Sequence, residues 1–269
     1  MIITKTEQLN ELFAKWPSLS VDETANFIKD GIIQEDLWDN SPWKLAFLLK
    51  EMNKGKDGGL KVKTTYSNDL RISCRNDPWP RLGQWAYGLK HAKILVGIKG
   101  QTEKEWADAF MSTAVINLKK TAGGSTTDWS VLRDAAENQK ERLRKEFEII
   151  DPRIVVCGGR AECDSVFKIA RDIGLTSCDL TEPIMCAREK YVSPKLYYDV
   201  VRRRVWIDFI HPSLFGRLLK GTTYAELQSL LGATFMEFAA TIQSLVPAPR
   251  SVFRERTISA PGTPTMCRW

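Results

Sequence analysis

Residues 153–159, Arg153-Ile154-Val155-Val156-Cys157-Gly158-Gly159, decide the fold of this chain. The β-branched run predicts a strand, and the glycine pair predicts a turn directly after it. The preceding segment, 128–150, carries apolar residues every three or four positions, which is the period of an amphipathic helix. A second helix is expected to follow and to end near Gly174. This order of helix, strand and helix is typical of a parallel sheet covered by helices.

Three further apolar runs predict the remaining strands. They cover residues 44–49, 114–117 and 205–210. The sequence therefore predicts a single α/β domain over 1–246, with a central four-stranded, mostly parallel sheet flanked by helices. The same patterns predict short helices within 5–30, which pack on the domain as part of an N-terminal region 1–40. They also predict helices at 78–90, 103–111 and 223–245. Residues 50–75 are expected to form a loop, and residues 175–200 to be irregular.

The composition is that of a globular protein with a mild bias toward polyanions. The chain has 269 residues, of which 43% are hydrophobic and 27% charged, and its formal net charge is +6. Residues 247–269 form a basic tail rich in Pro, Ser, Thr and Arg, which we expect to be disordered or loosely attached. No run reaches the roughly 18 apolar residues of a membrane helix, and no signal peptide is evident. We therefore expect a cytoplasmic protein without a membrane partner.

Cysteine and glycine patterns bear on cofactors. The six cysteines form no C-x-x-C pair and match no zinc or iron–sulfur spacing, so we expect reduced thiols, no metal and no cofactor. A nucleotide hydrolase or transferase on a similar sheet would need a phosphate loop, and the G-x-x-x-x-G-K-[ST] pattern is absent. This argues against that class of enzyme.

Polar and charged residues follow each predicted strand. Since open α/β sheets bind ligands beyond the carboxyl ends of their strands, these residues should share one edge. The candidates are Lys50, Glu51 and Asn53 after the first strand, Asn117, Lys119, Lys120, Gly123, Gly124 and Ser125 after the second, Gly158, Gly159 and Arg160 after the third, and His211 and Ser213 after the fourth.

Three of these strand ends resemble the ordered motifs of the uracil-DNA glycosylase superfamily. They are residues 47–53 (FLLKEMN), 116–120 (INLKK) and 209–213 (FIHPS), and the resemblance covers about residues 40–245. It implies an enzyme that flips a base out of DNA and hydrolyses its N-glycosidic bond. With Leu-Lys-Glu-x-Asn in the first motif and Asn-Leu-Lys-Lys in the second, the chain resembles a glycosylase-like bacterial branch. That branch includes phage-defence enzymes that remove glucosylated hydroxymethylcytosine.

The first motif departs from the best-known family pattern. The Gly-Gln-Asp-Pro-Tyr-His form is absent, Glu51 stands where its Asp would be, and Asn53 replaces the tyrosine that screens uracil from thymine. A polar residue there removes a steric barrier and offers hydrogen bonds to a polar substituent. We therefore expect a modified cytosine in phage DNA as substrate. Uracil repair and an inactive nucleic-acid-binding module of the same fold are the alternatives.

Catalysis is assigned to three residues by their place in the motifs. Glu51 would stabilise positive charge on the sugar and orient water, and Asn53 would help to hold that water. His211 would donate to the base as it leaves with negative charge. Structural roles remain open for each: Glu51 as a surface or capping carboxylate, Asn53 as a turn residue, His211 bonded to backbone. Since no lysine other than Lys50 invites a Schiff-base role, we expect a monofunctional glycosylase.

The remaining candidates would bind the base and the duplex. Asn117 would pair with the edge of a flipped pyrimidine, unless it merely terminates a strand, and Lys50 is placed in the same base site. Leu214 and Phe215 suit a wedge that fills the hole left by the base, although both could pack in the core. The expected partner is double-stranded DNA bound by a monomer. The expected DNA contacts are Lys119, Lys120, Gly123, Gly124, Ser125, Ser213, Leu214, Phe215, Arg217 and Lys220.

Overall fold

The structure is a computed structural model, and it describes ten segments of the chain. These segments are residues 3–16, 27–41, 43–52, 68–76, 110–123, 128–160, 164–179, 182–186, 194–209 and 236–246. Their helices are α1 (Lys5–Ala14), α2 (Glu35–Asn40), α3 (Leu70–Asn76), α4 (Trp129–Asn138), α5 (Lys140–Ile150), α6 (Val166–Asp172) and α7 (236–245). Their strands are β1 (Gly31–Ile32), β2 (Leu45–Leu49), β3 (Ala114–Asn117), β4 (Ile154–Gly158), β5 (Met185–Cys186), β6 (Lys195–Asp199) and β7 (Arg204–Phe209).

The described strands form one mixed sheet in the order β1-β3-β2-β4-β7-β6-β5. The four strands predicted from the sequence, β2, β3, β4 and β7, are all present, lie side by side and run parallel. The prediction of a four-stranded, mostly parallel sheet is nevertheless wrong. Within the described residues the sheet has seven strands, because β1 pairs antiparallel with β3, β6 with β7 and β5 with β6.

The other corrections concern elements with weak patterns. Residues 175–200 were expected to be irregular but contain β5 and β6, and the expected loop 50–75 ends in α3. The predicted helix over 128–150 is two helices, because Gln139 leaves helical geometry with φ −111° and ψ 6°. The predicted helices at 78–90 and most of 103–111 and 223–245, and the basic tail, lie outside the described residues.

Helices cover both faces of the sheet. Successive residues of a strand point to opposite faces, so Phe47 and Leu48 of β2 enter different cores. Phe47 packs in a core with residues of α3 and α7, whereas Leu48 packs in a core with residues of α1, α2, α4, α5 and α6. Strands β2, β4 and β7 are buried along their whole length. Burial on both faces explains why they are continuous apolar runs rather than alternating ones.

Local sequence signals set several helix ends. Thr4 and Glu7 form a capping box at the start of α1: the Thr4 side chain accepts from the Glu7 backbone N–H at 3.1 Å, and the Glu7 carboxylate accepts from the Thr4 backbone N–H at 2.8 Å. The C-terminal end of α5 also has a local signal. This helix ends at Asp151, which has φ 50°, and Pro152 follows. The end of α5 therefore coincides with the end of the apolar pattern over 128–150.

A buried ion cluster joins the N-terminal segment to the sheet. Lys120 Nζ lies 2.6 Å from Oδ1 of Asp30 and 2.7 Å from Oε2 of Glu146, and all three side chains are fully buried. The aromatic rings of Phe13 and Trp16 also face Nζ, with centroids at 5.8 and 5.3 Å. The cluster thus connects α1, the residue before β1, the loop after β3 and α5.

Burial and the neighbouring charges shift the pKa of two groups in this cluster, Glu146 and Lys120. Burial raises the pKa of Glu146 well above its usual range, and the negative charge of Asp30 raises it further. Burial lowers the pKa of Lys120, but the two carboxyl groups outweigh it and the net shift is upward. Burial and the neighbouring carboxylate thus favour the protonated form of Glu146 more than in an exposed glutamate.

Removing the cation should destabilise the fold far more than altering the acid. Lys120→Met leaves Asp30 buried without a counter-charge, which should lower the free energy of unfolding by about 3–5 kcal/mol. Glu146→Gln keeps the length of the side chain and leaves the pair of Lys120 and Asp30 in place, so it should cost about 1 kcal/mol or less. Urea unfolding measures both. Lys145→Met, at a side chain that is 60% exposed, is the control and should stay within about 0.5 kcal/mol of wild type. Equal losses for Lys120→Met and Lys145→Met would contradict the buried pair.

Candidate active site

The order of the parallel strands locates a crevice. Along the chain they are β2, β3, β4 and β7, but in the sheet they lie in the order second, first, third, fourth. The winding therefore reverses between β2 and β4, and open α/β sheets bind ligands at such a switch point, outside the carboxyl ends of the strands. Leu49 pairs with both Asn117 and Gly158, and Gly158 pairs with Phe209. The four strands consequently reach this edge at the same level.

Glu51 lies at this edge in a confined position. Its side chain is only 6% exposed, and Oε2 is 3.5 Å from Lys119 Nζ. The Gly123 backbone N–H donates to the Met52 carbonyl at 2.7 Å, which brings Gly123 against the carboxyl group. A Cβ atom at position 123 would overlap Cδ and Oε1 of Glu51. A side chain at position 123 would therefore displace the carboxyl group of Glu51 from its observed position.

Lys50 points in a different direction from Glu51. A Cβ atom on Gly159 would lie 3.1 Å from both Cγ and Cδ of Lys50, so the stem of the lysine packs on the turn after β4. Its Nζ is 5.6 Å from the ring centroid of Trp129 at the start of α4. Burial lowers the pKa of Lys50, and the charge of Glu51 offsets this only in part. The first motif thus directs a cation toward β4 and a carboxylate toward the loop after β3.

Asn117 is buried and oriented by Asp30. Oδ2 of Asp30 accepts from the Asn117 backbone N–H at 2.7 Å and from Nδ2 at 3.1 Å. Within the described residues, Oδ1 of Asn117 has no hydrogen-bond partner. Because Asp30 can only accept from it, Nδ2 is fixed toward Asp30 and Oδ1 is the remaining polar atom.

Lys120 does not fit the DNA contact expected from the sequence. Its side chain is fully buried and paired with Asp30 and Glu146, so its ammonium group does not face solvent. Lys119, by contrast, is 18% exposed and contacts Glu51. Of the two adjacent lysines, only Lys119 lies where it can reach a ligand at the carboxyl edge.

Asp208 is a candidate that the sequence analysis missed. It is the penultimate residue of β7, its side chain is 6% exposed, and Oδ2 is 3.7 Å from Nε of Arg160. Burial raises its pKa to about 6, and the charges of Arg160 and Lys195 and a hydrogen bond with Ser165 offset this only in part. Perturbed carboxyl groups beside a cleft are frequent at functional sites. The sequence feature that could have identified Asp208 is an acidic residue inside an otherwise apolar strand.

One group of the predicted site residues lies together at the carboxyl edge, and another group lies outside the described residues. Lys50, Glu51, Lys119 and Gly123 line the carboxyl edge, with Asn117 buried behind it. The remaining candidates lie outside the described residues: Asn53, Gly124, Ser125, His211, Ser213, Leu214, Phe215, Arg217 and Lys220.

Comparisons of the sequence with models of known protein families and with curated proteins found no match. None of the described helices has the length and apolar character needed to cross a membrane. Within the described segments, no three His, Cys, Asp or Glu side chains are grouped so that they could hold a metal ion. The motifs and the geometry of the carboxyl edge are therefore the features that point to a function.

Asp208→Asn should make the protein more stable above pH 6. The pKa of Asp208 is about 6 in the folded protein, whereas that of an aspartate in water is 3.8. The folded state therefore binds more protons between pH 4 and 6, and stability falls as pH rises through that window. The penalty at neutral pH is up to about 3 kcal/mol, and asparagine abolishes it.

Unfolding midpoints measured between about pH 4 and 8 test this expectation. The advantage of Asp208→Asn should shrink as pH falls toward 4. Asp134→Asn, at an exposed position of α4, should show no such pH dependence. Parallel curves for wild type and Asp208→Asn would show that Asp208 is not the buried acid described above.

Proposed function

We propose that this protein is a monofunctional DNA glycosylase, which hydrolyses the N-glycosidic bond of a base flipped out of duplex DNA and leaves an abasic site. The observation that carries the proposal is the position of Glu51, a shielded carboxyl group at the ligand-binding edge of the sheet. Cleavage of the bond builds positive charge on the sugar. A carboxylate in a site with little water stabilises that charge and can orient the attacking water.

Lys119 gives this carboxylate a defined partner before DNA arrives. The 3.5 Å contact balances the charge of Glu51 in the free protein. A phosphate of the bound strand would attract Lys119 and compete for it, since phosphate contacts from lysine supply much of the affinity for DNA. Binding would then release the Glu51 carboxylate toward the sugar. In this scheme Lys119 couples binding of the strand to exposure of the catalytic group.

The orientation of Asn117 favours a cytosine-type base. With Nδ2 held by Asp30, Oδ1 is the atom that can pair. An acceptor matches the 4-amino group of cytosine, whereas the corresponding group of uracil, O4, is itself an acceptor. Oδ1 is buried, so a base reaches it only when the neighbouring surface opens. Such an opening would accompany the entry of a flipped base.

The proposed substrate is a modified cytosine, such as glucosylated hydroxymethylcytosine in phage DNA. The resemblance of residues 47–53 to the first glycosylase motif supports it, with Asn53 in place of the aromatic screen. A site built to hydrogen-bond polar groups loses much transition-state stabilisation when they are missing, so unmodified cytosine should be spared. We further propose that the protein acts as a monomer in the cytoplasm, without a cofactor.

A panel of matched duplexes tests the substrate. The duplexes carry uracil, cytosine, hydroxymethylcytosine or its glucosylated form at one position, and alkali cleaves any abasic site that the protein makes. We expect cleavage of a modified-cytosine duplex and none at cytosine. Efficient cutting of the uracil duplex alone would point to uracil repair. Binding to every duplex with no cutting would point to an inactive binding module.

Glu51→Gln should slow base release by roughly 10²–10⁴-fold, because the amide carries no charge to oppose that of the sugar. Duplex affinity should change little, since phosphate contacts supply most of it. Single-turnover cleavage on the best duplex of the panel measures the rate. Glu148→Gln, at an exposed side chain of α5, is the matched control. Wild-type rates in Glu51→Gln would remove Glu51 from the mechanism.

Gly123→Ala should reduce the rate without unfolding the protein. The new methyl group overlaps the carboxyl group of Glu51, which lies at the end of a flexible side chain and can swing aside. We expect at least a tenfold loss of single-turnover rate, about 1.4 kcal/mol in the barrier, with thermal stability nearly unchanged. In the Glu51→Gln background the same change should add little further loss. Independent, multiplicative losses would show that Gly123 does not act through Glu51.

A further inference from the structure

Two cations lie beside the turn after β4, on the side of the switch point away from Glu51. Lys50 packs its stem on Gly159, and Arg160 is the next residue along the chain. We refer to Lys50 and Arg160 as the switch-point pair. The proposed catalytic step assigns neither of them a role.

Lys50 is fixed in place by Gly159 and Trp129. Its stem contacts Gly159, and its ammonium group faces the ring of Trp129 at 5.6 Å. Within the described residues Lys50 forms no ion pair, in contrast to Lys119 and Lys120. The charge of Glu51 offsets the cost of burying this cation only in part. A bound anion would offset more of that cost.

Arg160 is positioned by a buried acid. Its Nε lies 3.7 Å from Oδ2 of Asp208, and the Arg160 side chain is 25% exposed. The backbone of Arg160 also forms an isolated β-bridge with Ser165, which fixes the start of the side chain. A guanidinium has five N–H donors in a planar fork, so it can serve a carboxylate on one side and a second anion on another.

We propose that Lys50 and Arg160 form a phosphate-binding subsite at the switch point between β2 and β4. The inference rests on the proposed function, in which the phosphate is a phosphodiester group of the bound strand; a free phosphate would use the same chemistry. Gly159 suits this role because it leaves room for the Lys50 stem, whose Cγ and Cδ would lie 3.1 Å from a Cβ atom there. The divergence of Lys50 and Glu51 keeps the phosphate away from the catalytic carboxylate, which would repel it. This proposal assigns Lys50 to a phosphate of the DNA strand, whereas the sequence analysis placed it in the base site.

Protection from chemical modification tests the subsite in the wild-type protein. Lysines are reductively methylated at neutral pH alone, with inorganic phosphate, or with duplex DNA, and peptide mass spectrometry gives the extent at each position. We expect at least a several-fold reduction at Lys50 when the anion is bound. Lys145, which is 60% exposed on α5, should be modified equally in all three samples.

The salt dependence of duplex binding provides a second measurement. Lys50→Met and Arg160→Met should each reduce the slope of log affinity against log salt by about 0.9, the value for one lost phosphate contact. Lys145→Met removes the same charge elsewhere and should leave the slope unchanged. Unchanged slopes in both switch-point variants, with duplex binding retained, would overturn the proposal.

The results of these two experiments distinguish a failure of the phosphate subsite from a failure of the proposed glycosylase function. Protection of Lys50 by duplex together with reduced slopes supports a phosphodiester subsite. Protection by inorganic phosphate in a protein that binds no duplex supports the subsite and contradicts the glycosylase. Failure of both phosphate and duplex to protect Lys50 overturns the subsite, whatever the outcome of the base-release assay.

Discussion

The candidate site depends on the burial of one lysine. Lys120 is held by Asp30 and Glu146 at 2.6 and 2.7 Å, and Asp30 also binds the backbone and side chain of Asn117. The loop that leaves β3 is therefore fixed from inside the protein before it reaches Gly123. An unpaired charge at this depth would cost several kcal/mol. The cluster consequently determines where the loop runs, and the loop determines what lies against Glu51.

Backbone hydrogen bonds then join this loop to the first motif. Leu118 donates to the Leu49 carbonyl at 2.9 Å, and Lys119 donates to the Lys50 carbonyl at 3.0 Å. These bonds continue the pairing of β2 with β3 beyond the ends of both strands. The carboxylate, its lysine partner and the buried asparagine therefore belong to one framework. Preorganised groups of this kind stabilise charge without reorganising during the reaction.

The sequence predicted the elements with strong patterns and missed those that depend on distant partners. The parallel strands were predictable because burial on both faces makes them continuous apolar runs, whereas the two-residue strands β1 and β5 have no period to detect. Glu51 and Asn117 stood out because they follow or end strands, and Asp208 was missed because it lies inside one. Nothing local separates Lys119 from Lys120; the difference comes from Asp30, which is 90 residues away.

The contact between Glu51 and Gly123 links the identities of two positions. A glutamate reaches the backbone at 123 and leaves no room there for a β-carbon. An aspartate, shorter by one methylene group, would stop short of that backbone and would make room for a side chain. Among relatives of this chain, the length of the acid at the first position and the size of the residue at the second should therefore vary in opposite directions. Substitutions at positions 51 and 123 would then occur as correlated pairs.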